Sequence, residues 1–151
     1  MIDHNLIRHC TVTYPVAAAT AGKGDTLTSS AIDTPGAAAV LIGVKFGTIT
    51  ATGKGTIKLQ HSSDDGATDA YADVAGSAYS YTAATDSTKC VVLDVYRPAK
   101  RYLKVVNVRD ADANIVVENG FAILYHQETQ PVPGTTVTGL KVLNQPQSGT
   151  A

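Results

Sequence analysis

The sequence CVVLDVY at Cys90–Tyr96 begins the stretch that decides the fold, which runs from residue 89 to residue 127. Two more runs follow it: RYLKVVNV at residues 101–108 and IVVENGFAILYHQ at Ile115–Gln127. All three are rich in Val, Ile, Leu and Tyr, which suit a pleated and half-buried strand. The short connections between them contain Pro, Asp and Asn, which are typical of turns. The stretch therefore predicts three consecutive β-strands.

Within each run the side chains alternate between two faces, because successive residues of a strand point in opposite directions. The predicted core faces are Val91, Leu93 and Val95 in the first run and Leu103, Val105 and Asn107 in the second. In the third run the predicted shared face, interrupted by Asn119, holds Ile115, Val117, Phe121, Ile123 and Tyr125. Gly120 predicts a bulge or a close backbone approach. Because the opposite faces are not cleanly polar, we expect another sheet, a loop or a second subunit to cover them.

Shorter strands are predicted on the N-terminal side, at residues 5–14 (ending at Pro15), 27–33, 37–50, 56–61 and 69–74, with one more inside 76–88. The segment 16–24 is predicted to be a loop or a short helical turn, and 34–36 a turn. The runs 37–50 and 56–61 are interpreted as a β-hairpin. About eight short strands separated by turn residues favour an all-β fold, an antiparallel β-sandwich or jelly-roll-like domain.

The character of the sequence changes at residue 128. The segment 130–136, QPVPGTT, is predicted to be extended, and Val137, Leu140, Val142 and Leu143 are enough apolar residues to dock on another surface. We therefore expect a β-sandwich domain at 1–127, whose segment 1–36 is partly arm-like, and an extended C-terminal arm at 128–151. The arm is expected to lie along a neighbouring subunit or its own domain.

Composition narrows the classes of function. Charged residues make up 17% of the chain, below the roughly 25% of typical soluble domains. The net charge of -1 gives no reason to expect a nucleic-acid partner, and no 18-residue apolar run predicts a membrane span. The N-terminus lacks the features of a secretory signal. The two cysteines, Cys10 and Cys90, are expected to be reduced, buried, small apolar residues of a protein made in the cytosol.

Several motifs suggest a ligand site and are better explained as turns. Glycines flank a lysine at 22–24 and 53–55, but Ser or Thr does not follow the lysine as a phosphate loop requires. Asp110, Asp112 and Asn114 match the start of a calcium loop, whose required Gly and Glu are replaced by Ile115 and Phe121. An acidic loop is interpreted as a set of hydrogen-bonding turn residues rather than a cation site. Its members are Asp64, Asp65, Asp69 and Asp73.

No catalytic constellation can be assembled from the sequence, so we expect that the protein is not an enzyme. The four histidines have no metal-ligand spacing, and there is no Gly-x-Ser-x-Gly. The four histidines are His4, His9, His61 and His126. Six tyrosines could line a carbohydrate or protein contact, although each is more simply the border of a small core. They are Tyr71, Tyr79, Tyr81, Tyr96, Tyr102 and Tyr125. We predict no catalytic, cofactor-binding or metal-binding residue.

Part of the chain resembles a known class of proteins. The sequence IKLQHSSDDG at 57–66, followed by YADV at 71–74, resembles a pattern common in small structural proteins of tailed bacteriophages. PAKRYLKV at 98–105 and GFAILY at 120–125 extend the resemblance, which spans residues 40–127. The similarity is to head decoration (cement) proteins. It implies a β-rich, often trimeric protein that binds the outside of the capsid where major capsid subunits meet.

The resemblance implies a set of partners and a location. The partners are the major capsid protein and further copies of this chain, with a homotrimer favoured; no nucleic acid, membrane or cofactor is expected. The location is the capsid surface of the virion after synthesis in the host cytoplasm. One alternative is a tail- or fibre-associated module that recognises a host surface glycan, which an exposed tyrosine cluster beside the acidic loop would favour. The other is a cupin-like enzyme, which requires a His/Glu metal cluster inside the barrel.

Overall fold

The computed structural model of the protein describes residues 9–35 and 37–127. Within them the chain is almost entirely β, with a single helical turn, α1, at Ala83–Asp86. The strands are β1 (Cys10–Val16), β2 (Ala19–Gly22), β3 (Thr26–Thr28), β4 (Ile32–Asp33), β5 (Ala37–Ile49), β6 (Lys54–Ser62), β7 (Ala72–Asp73), β8 (Tyr79–Thr82), β9 (Cys90–Tyr96), β10 (Tyr102–Arg109) and β11 (Ile115–Gln127). The predicted all-β fold is confirmed. No helix among the described residues is long and apolar enough to cross a membrane.

The strands form two antiparallel sheets. Sheet A has the order β1-β11-β5-β9, with β2 also on β11; sheet B has the order β3-β10-β6-β7, with β4 on β10 and β8 on β6. If β1 and β2, β3 and β4, and β7 and β8 are each counted as one interrupted strand, eight strands remain. Numbered along the chain, their order is 1-8-3-6 in sheet A and 2-7-4-5 in sheet B. This is the strand order of a jelly roll.

The core lies between the two sheets. Sheet A contributes the four inward residues of β5 predicted from alternation, all less than 2% exposed: Val40, Ile42, Val44 and Phe46. Sheet B contributes the predicted inner face of β10 and the inner residues of β6: Leu103, Val105, Ile57 and Leu59. Tyr81 lies among them, with its ring centroid 4.4 Å from that of Phe46. Period-two alternation therefore located most of the core correctly.

The predicted face of β11 is correct for its first half and wrong for its second. The register with β5 shifts between Val117 and Asn119, where β11 gains one residue relative to its partner. An extra residue moves every later side chain to the other face. Ile115 and Val117 are buried as predicted, but the buried residues that follow are Gly120, Ala122 and Leu124. Phe121, Ile123 and Tyr125 therefore lie on the outer face. The predicted irregularity near Gly120 is confirmed.

The predicted β-hairpin of residues 37–50 and 56–61 is wrong. β5 pairs with β9 and β11 in sheet A, whereas β6 pairs with β7, β8 and β10 in sheet B. The turn between them, closed by a hydrogen bond from the Gly53 N–H to the Thr50 carbonyl at 2.9 Å, is a corner that joins the two sheets. The alternation of apolar and polar residues is the same in a hairpin and in a corner between two sheets. It shows that a strand has a buried face, but it does not show which strand lies beside it.

The N-terminal segments also differ from expectation. β1 continues through Pro15 to Val16, which an edge strand with a register shift between Thr13 and Val16 tolerates. The segment 16–24 is neither loop nor helical turn, because it contains β2. The predicted strand 27–33 is interrupted at Ser29, whose Oγ accepts a hydrogen bond from the Val105 N–H at 2.9 Å. The predicted arm at 128–151 lies outside the described residues, as do residues 1–8.

Candidate interaction surface

The outer face of sheet A is apolar where a solvent-facing sheet is normally polar. We call it the apolar face; its residues are Leu41 and Gly43 of β5, Val92 and Tyr96 of β9, and Phe121 and Ile123 of β11. The strand register makes them neighbours: Leu41 lies opposite Ile123, and Gly43 lies opposite both Phe121 and Val92. Val92 is 53% exposed and Tyr96 64% exposed. The exposed Val92 lies beside the half-buried Leu41, Phe121 and Ile123, and an apolar patch on a sheet surface is a candidate interaction site.

Gly43 is needed for the shape of the apolar face. A Cβ atom at this position would lie 2.5 Å from the Cζ atom of Phe121, so the Phe121 ring covers the glycine backbone. An aromatic side chain over a strand glycine shields a weak point of the sheet and flattens its surface. At the centre of the apolar face, the Phe121 ring therefore takes the place of a β5 side chain.

Polar side chains also occur on the outer face of sheet A, and they are paired with each other; Asp94 lies between Val92 and Tyr96, opposite Leu41. The Tyr125 hydroxyl donates to the Asp94 carboxylate at 2.7 Å, spanning β5, and this hydrogen bond raises the pKa of Tyr125. Lys45 Nζ lies 3.2 Å from a Glu118 carboxylate oxygen. Asp94 is the only charged residue of β9, and it is directed across sheet A rather than toward the strand's open edge.

The outer face of sheet B has the opposite character. We call it the polar face; its residues are Asp33, Lys58, Gln60, Asp73, Tyr102 and Lys104. Asp73 accepts hydrogen bonds from Lys58 at 2.6 Å and from Gln60 at 2.8 Å. Asp33 accepts two hydrogen bonds from Arg101, at 2.7 and 2.8 Å. Val106 and Val108 also point outward, but they lie between the polar residues Thr26, Thr28, Thr56 and Lys58.

The acidic loop is a hydrogen-bonded turn, as interpreted from the sequence. The Asp64 carboxylate accepts from the backbone N–H groups of Ala67 at 3.1 Å and Thr68 at 2.8 Å, and from the Thr68 hydroxyl. The hydroxyl and the backbone N–H of Thr68 lower the pKa of Asp64. Lys100 donates to Asp69 at 2.7 Å. The carboxylates are thus satisfied by the protein itself.

Two of the predicted contact tyrosines lie beside this loop: Tyr71, and Tyr102 opposite Ser62. The Tyr71 ring is covered by Lys104 Nζ at 3.9 Å, and the Tyr71 hydroxyl donates to Asp65 at 2.5 Å. Tyr79 donates to Asp86 at 2.8 Å, and Tyr96 belongs to the apolar face. Tyr81, which the sequence grouped with the contact candidates, is fully buried and donates to the Asn107 side-chain oxygen at 2.8 Å. Burial raises the pKa of Tyr81 to about 12.

No known protein family matches the sequence, and no curated protein does either. Among solved structures, the chain is similar to the PBSX exported protein XepA, with 15% sequence identity and a TM-score of 0.49. The match covers 95% of this chain and 46% of XepA, so the chain spans about half the length of that protein. A likeness this distant says nothing about what this chain binds.

The other sequence candidates have structural explanations. Lys54 Nζ lies 3.0 Å from Asp112 and 3.8 Å from Asp110, so an ammonium group neutralises the calcium-like turn. Across residues 9–35 and 37–127, no three His, Cys, Asp or Glu side chains converge on a possible metal position. Both cysteines are free thiols; Cys10 is buried as expected, whereas Cys90 is exposed and that part of the prediction is wrong.

Sequence reasoning missed one buried cation. Arg109 was assigned to a connection, but it is the last residue of β10 and only 5% exposed. It donates to both oxygens of Asp25, and its NH1 group donates to the carbonyls of Thr20 and Ile115, each at 2.8 Å. The pairing lowers the pKa of Asp25. Arg109 lies on the same inward face of β10 as Leu103, Val105 and Asn107. This alternation was the feature of the sequence that could have predicted its burial.

Proposed function

We propose that this protein is a structural virion protein, which decorates a tailed-bacteriophage capsid and stabilises it by binding across neighbouring major capsid subunits. The observation that carries the proposal is the apolar face: one outer sheet surface carries neighbouring apolar side chains around a single carboxylate, Asp94, while the other is lined mainly by paired polar side chains. The sequence resemblance of residues 40–127 to decoration proteins supports the same function.

The stabilising mechanism is passive burial. Covering a Val, Leu, Ile or Phe side chain contributes about 1.5–3 kcal/mol when the side chain becomes fully buried. The half-buried residues of the apolar face contribute a fraction of that amount each. A protein that binds the assembled shell and not the free capsid subunits shifts the equilibrium toward the shell. Many weak copies on one particle suffice, because the particle offers many equivalent sites.

The proposal includes self-association, with a homotrimer favoured, and a location on the capsid surface after synthesis in the host cytoplasm. Several contacts held together strengthen attachment without any new type of contact. The proposed role involves no catalytic step and no cofactor. The glycan-binding alternative has less support, because the tyrosine nearest the acidic loop, Tyr71, already has its ring covered and its hydroxyl paired.

The experiment that tests the proposal is fractionation of the lysate of the protein's native source on a density gradient. Filled heads, tails and free protein are separated, and this chain is quantified in each fraction by mass spectrometry. We expect many copies on heads. Recovery on tails would transfer support to glycan recognition, and recovery only as free protein would refute the proposal.

A further inference from the structure

Strand β9 is an open edge of sheet A. It pairs through all seven of its residues with β5, and no other described strand pairs with it. Natural sheets protect such edges with Pro, Lys, bulges or very short strands. The sequence CVVLDVY contains neither Pro nor Lys, and its register with β5 is unbroken. Within the described part of the chain, β9 is therefore an edge strand without these protections, and its one charged side chain, Asp94, is bonded to Tyr125 across the sheet.

Two hydrogen bonds identify which backbone groups of β9 are available. The Arg97 N–H donates to the Ala38 carbonyl at 2.7 Å, and the Phe46 N–H donates to the Lys89 carbonyl at 2.9 Å. In an antiparallel ladder, the N–H and C=O of one residue point to the same side, and the side alternates along the strand. Odd-numbered residues of β9 therefore face β5. The even-numbered residues present N–H and C=O groups at the open edge: Cys90, Val92, Asp94 and Tyr96.

The other strands at sheet edges differ from β9. β1 contains Pro15 and an irregular register, whereas β3, β4 and β7 have only three, two and two residues. Beside β9 runs a groove of about 300 Å³ between the two sheets. Leu93 and Val95 line its β9 side, and Leu59 and Val74 line its sheet B side. An added strand would cover this groove and extend the apolar face.

We propose that β9 pairs antiparallel with β9 of a second copy of this chain, about a two-fold axis at Leu93. This register places Val92 opposite Asp94 and Cys90 opposite Tyr96, so every open N–H and C=O group of β9 faces a partner. A symmetric contact of one patch with itself is the commonest way in which soluble proteins dimerise. The apolar faces of the two copies become one continuous surface.

The side chains of β9 favour a two-fold axis at Leu93 and favour β9, rather than β1, of the second copy as the pairing strand. A two-fold axis at Asp94 would place two carboxylates side by side, whereas an axis at Leu93 places each carboxylate beside a valine. Asp94 is already bonded to Tyr125 at 2.7 Å and needs no new partner. Pairing of β9 with the β1 edge of another copy would meet Pro15, which has no N–H to donate.

The contact goes beyond the proposed function and does not depend on a capsid. It is also compatible with a trimer, because a two-fold contact can join copies that belong to neighbouring trimers. Failure of the β9 contact in solution would leave capsid attachment untested, and failure to find the protein on heads would leave the β9 contact standing.

Disulfide trapping tests the register. In the proposed pair, the two Leu93 Cα atoms form a non-hydrogen-bonded pair about 4.5 Å apart, which a disulfide can bridge. We expect the full chain with Leu93→Cys and Cys90→Ser to form a covalent dimer on mild oxidation. The matched control is Val91→Cys in the same background, because its two copies would lie about 13 Å apart. Equal trapping of both variants, or of neither, would overturn the proposal.

A proline substitution provides the second test. The Val92 N–H points away from β5, so Val92→Pro leaves the β5–β9 ladder intact and removes only edge donors. We expect a dimer for the wild type by sedimentation velocity at near-millimolar concentration. Val92→Pro should weaken it about tenfold through two lost hydrogen bonds, and Val92→Thr should weaken it less. An unchanged dimer in Val92→Pro, or a monomeric wild type, would refute the contact. A monomer whose Val92 and Asp94 amides resist hydrogen exchange would mean that another segment of the same chain covers the edge.

Discussion

The two outer faces of the sandwich both belong to antiparallel sheets, yet one is polar and the other is largely apolar. On the polar face, Lys58, Gln60 and Asp73 bond to one another, and Asp33 holds Arg101. On the apolar face, Val92 and Tyr96 remain exposed beside Phe121 and Ile123. The charged groups named on the polar face are paired within the chain, whereas the apolar face leaves two apolar side chains exposed.

The difference separates features that serve the fold from features that serve contact. Exposed ion pairs each contribute about 0–1 kcal/mol, so the polar face mainly keeps one side soluble. Exposed valine and tyrosine side chains give the isolated domain little stability. They gain free energy only when another surface covers them. The following predictions test this division, from the largest expected effect to the smallest.

Val105→Asp should abolish folding, because it places an unpaired charge between the two sheets. Val105 is 2% exposed, and such changes cost more than about 4 kcal/mol. The measurement is soluble expression with circular dichroism. Val108→Asp is the matched control, since it makes the same change in the same strand on the opposite face. If Val105→Asp folded as well as Val108→Asp, the assignment of faces would be wrong.

Arg109→Met should lower the free energy of unfolding by about 2–3 kcal/mol, because the carbonyls of Thr20 and Ile115 lose a buried donor, while Asp25, which is 44% exposed, can be hydrated. Arg101→Met breaks the exposed pair with Asp33 on the sheet B side and should cost at most about 1 kcal/mol. Urea unfolding of the two variants compares a buried with an exposed ion pair. Similar losses for both would contradict the structural role assigned to Arg109.

Acid should weaken the fold partly through Asp25, whose pKa is lowered by Arg109. A carboxyl group with a lowered folded-state pKa contributes stability above its unfolded pKa, near 3.9, and loses it as the pH falls through the folded value. We expect Asp25→Asn to be less stable than wild type at neutral pH. The gap should narrow below about pH 4, measured by urea unfolding across pH. A gap independent of pH would refute this linkage.

Deletion of residues 128–151 should change the stability of the described domain least. The core between the two sheets involves residues up to Leu124, so circular dichroism and thermal unfolding should be nearly unchanged. Attachment to heads, or self-association, should weaken if the segment acts as the expected arm. Unchanged attachment and unchanged association would refute the arm.

The sequence predicted the strands well and their neighbours poorly. Cys90–Tyr96 and Ile115–Gln127 were located to the residue, because apolar alternation bounded by turn residues is a local property. The hairpin of β5 and β6 was wrong, because the choice of neighbour depends on the whole sandwich. The inverted half of β11 followed from one extra residue near Asn119. Alternation cannot show whether the extra residue of a bulge lies before or after a glycine such as Gly120.

The candidate surface was anticipated only in outline. The outer faces of the predicted strands contain apolar residues, which led us to expect a covering sheet, loop or subunit. The apolar face itself could be defined only after the register shift in β11 was known, because that shift turns Phe121 and Ile123 outward. Tyr81 agrees with the simpler interpretation of the tyrosines as core residues, although it lies inside the core and not at its border. Its burial depends on Gly55, where a Cβ atom would collide with the Tyr81 hydroxyl group. A close contact of this kind joins residues that are distant in sequence, so alternation within one strand cannot predict it.

The most direct measurement of the central claim is co-sedimentation of the purified protein with capsids of its native source that lack it. Three full-length proteins are compared: wild type, Ile123→Lys on the apolar face and Val108→Lys on the polar face. Both substitutions put a lysine at an outward strand position. We predict that the wild type and Val108→Lys bind heads and that Ile123→Lys, folded by circular dichroism, does not. Equal binding of all three, or loss only with Val108→Lys, would contradict the assignment of the apolar face as the attachment surface.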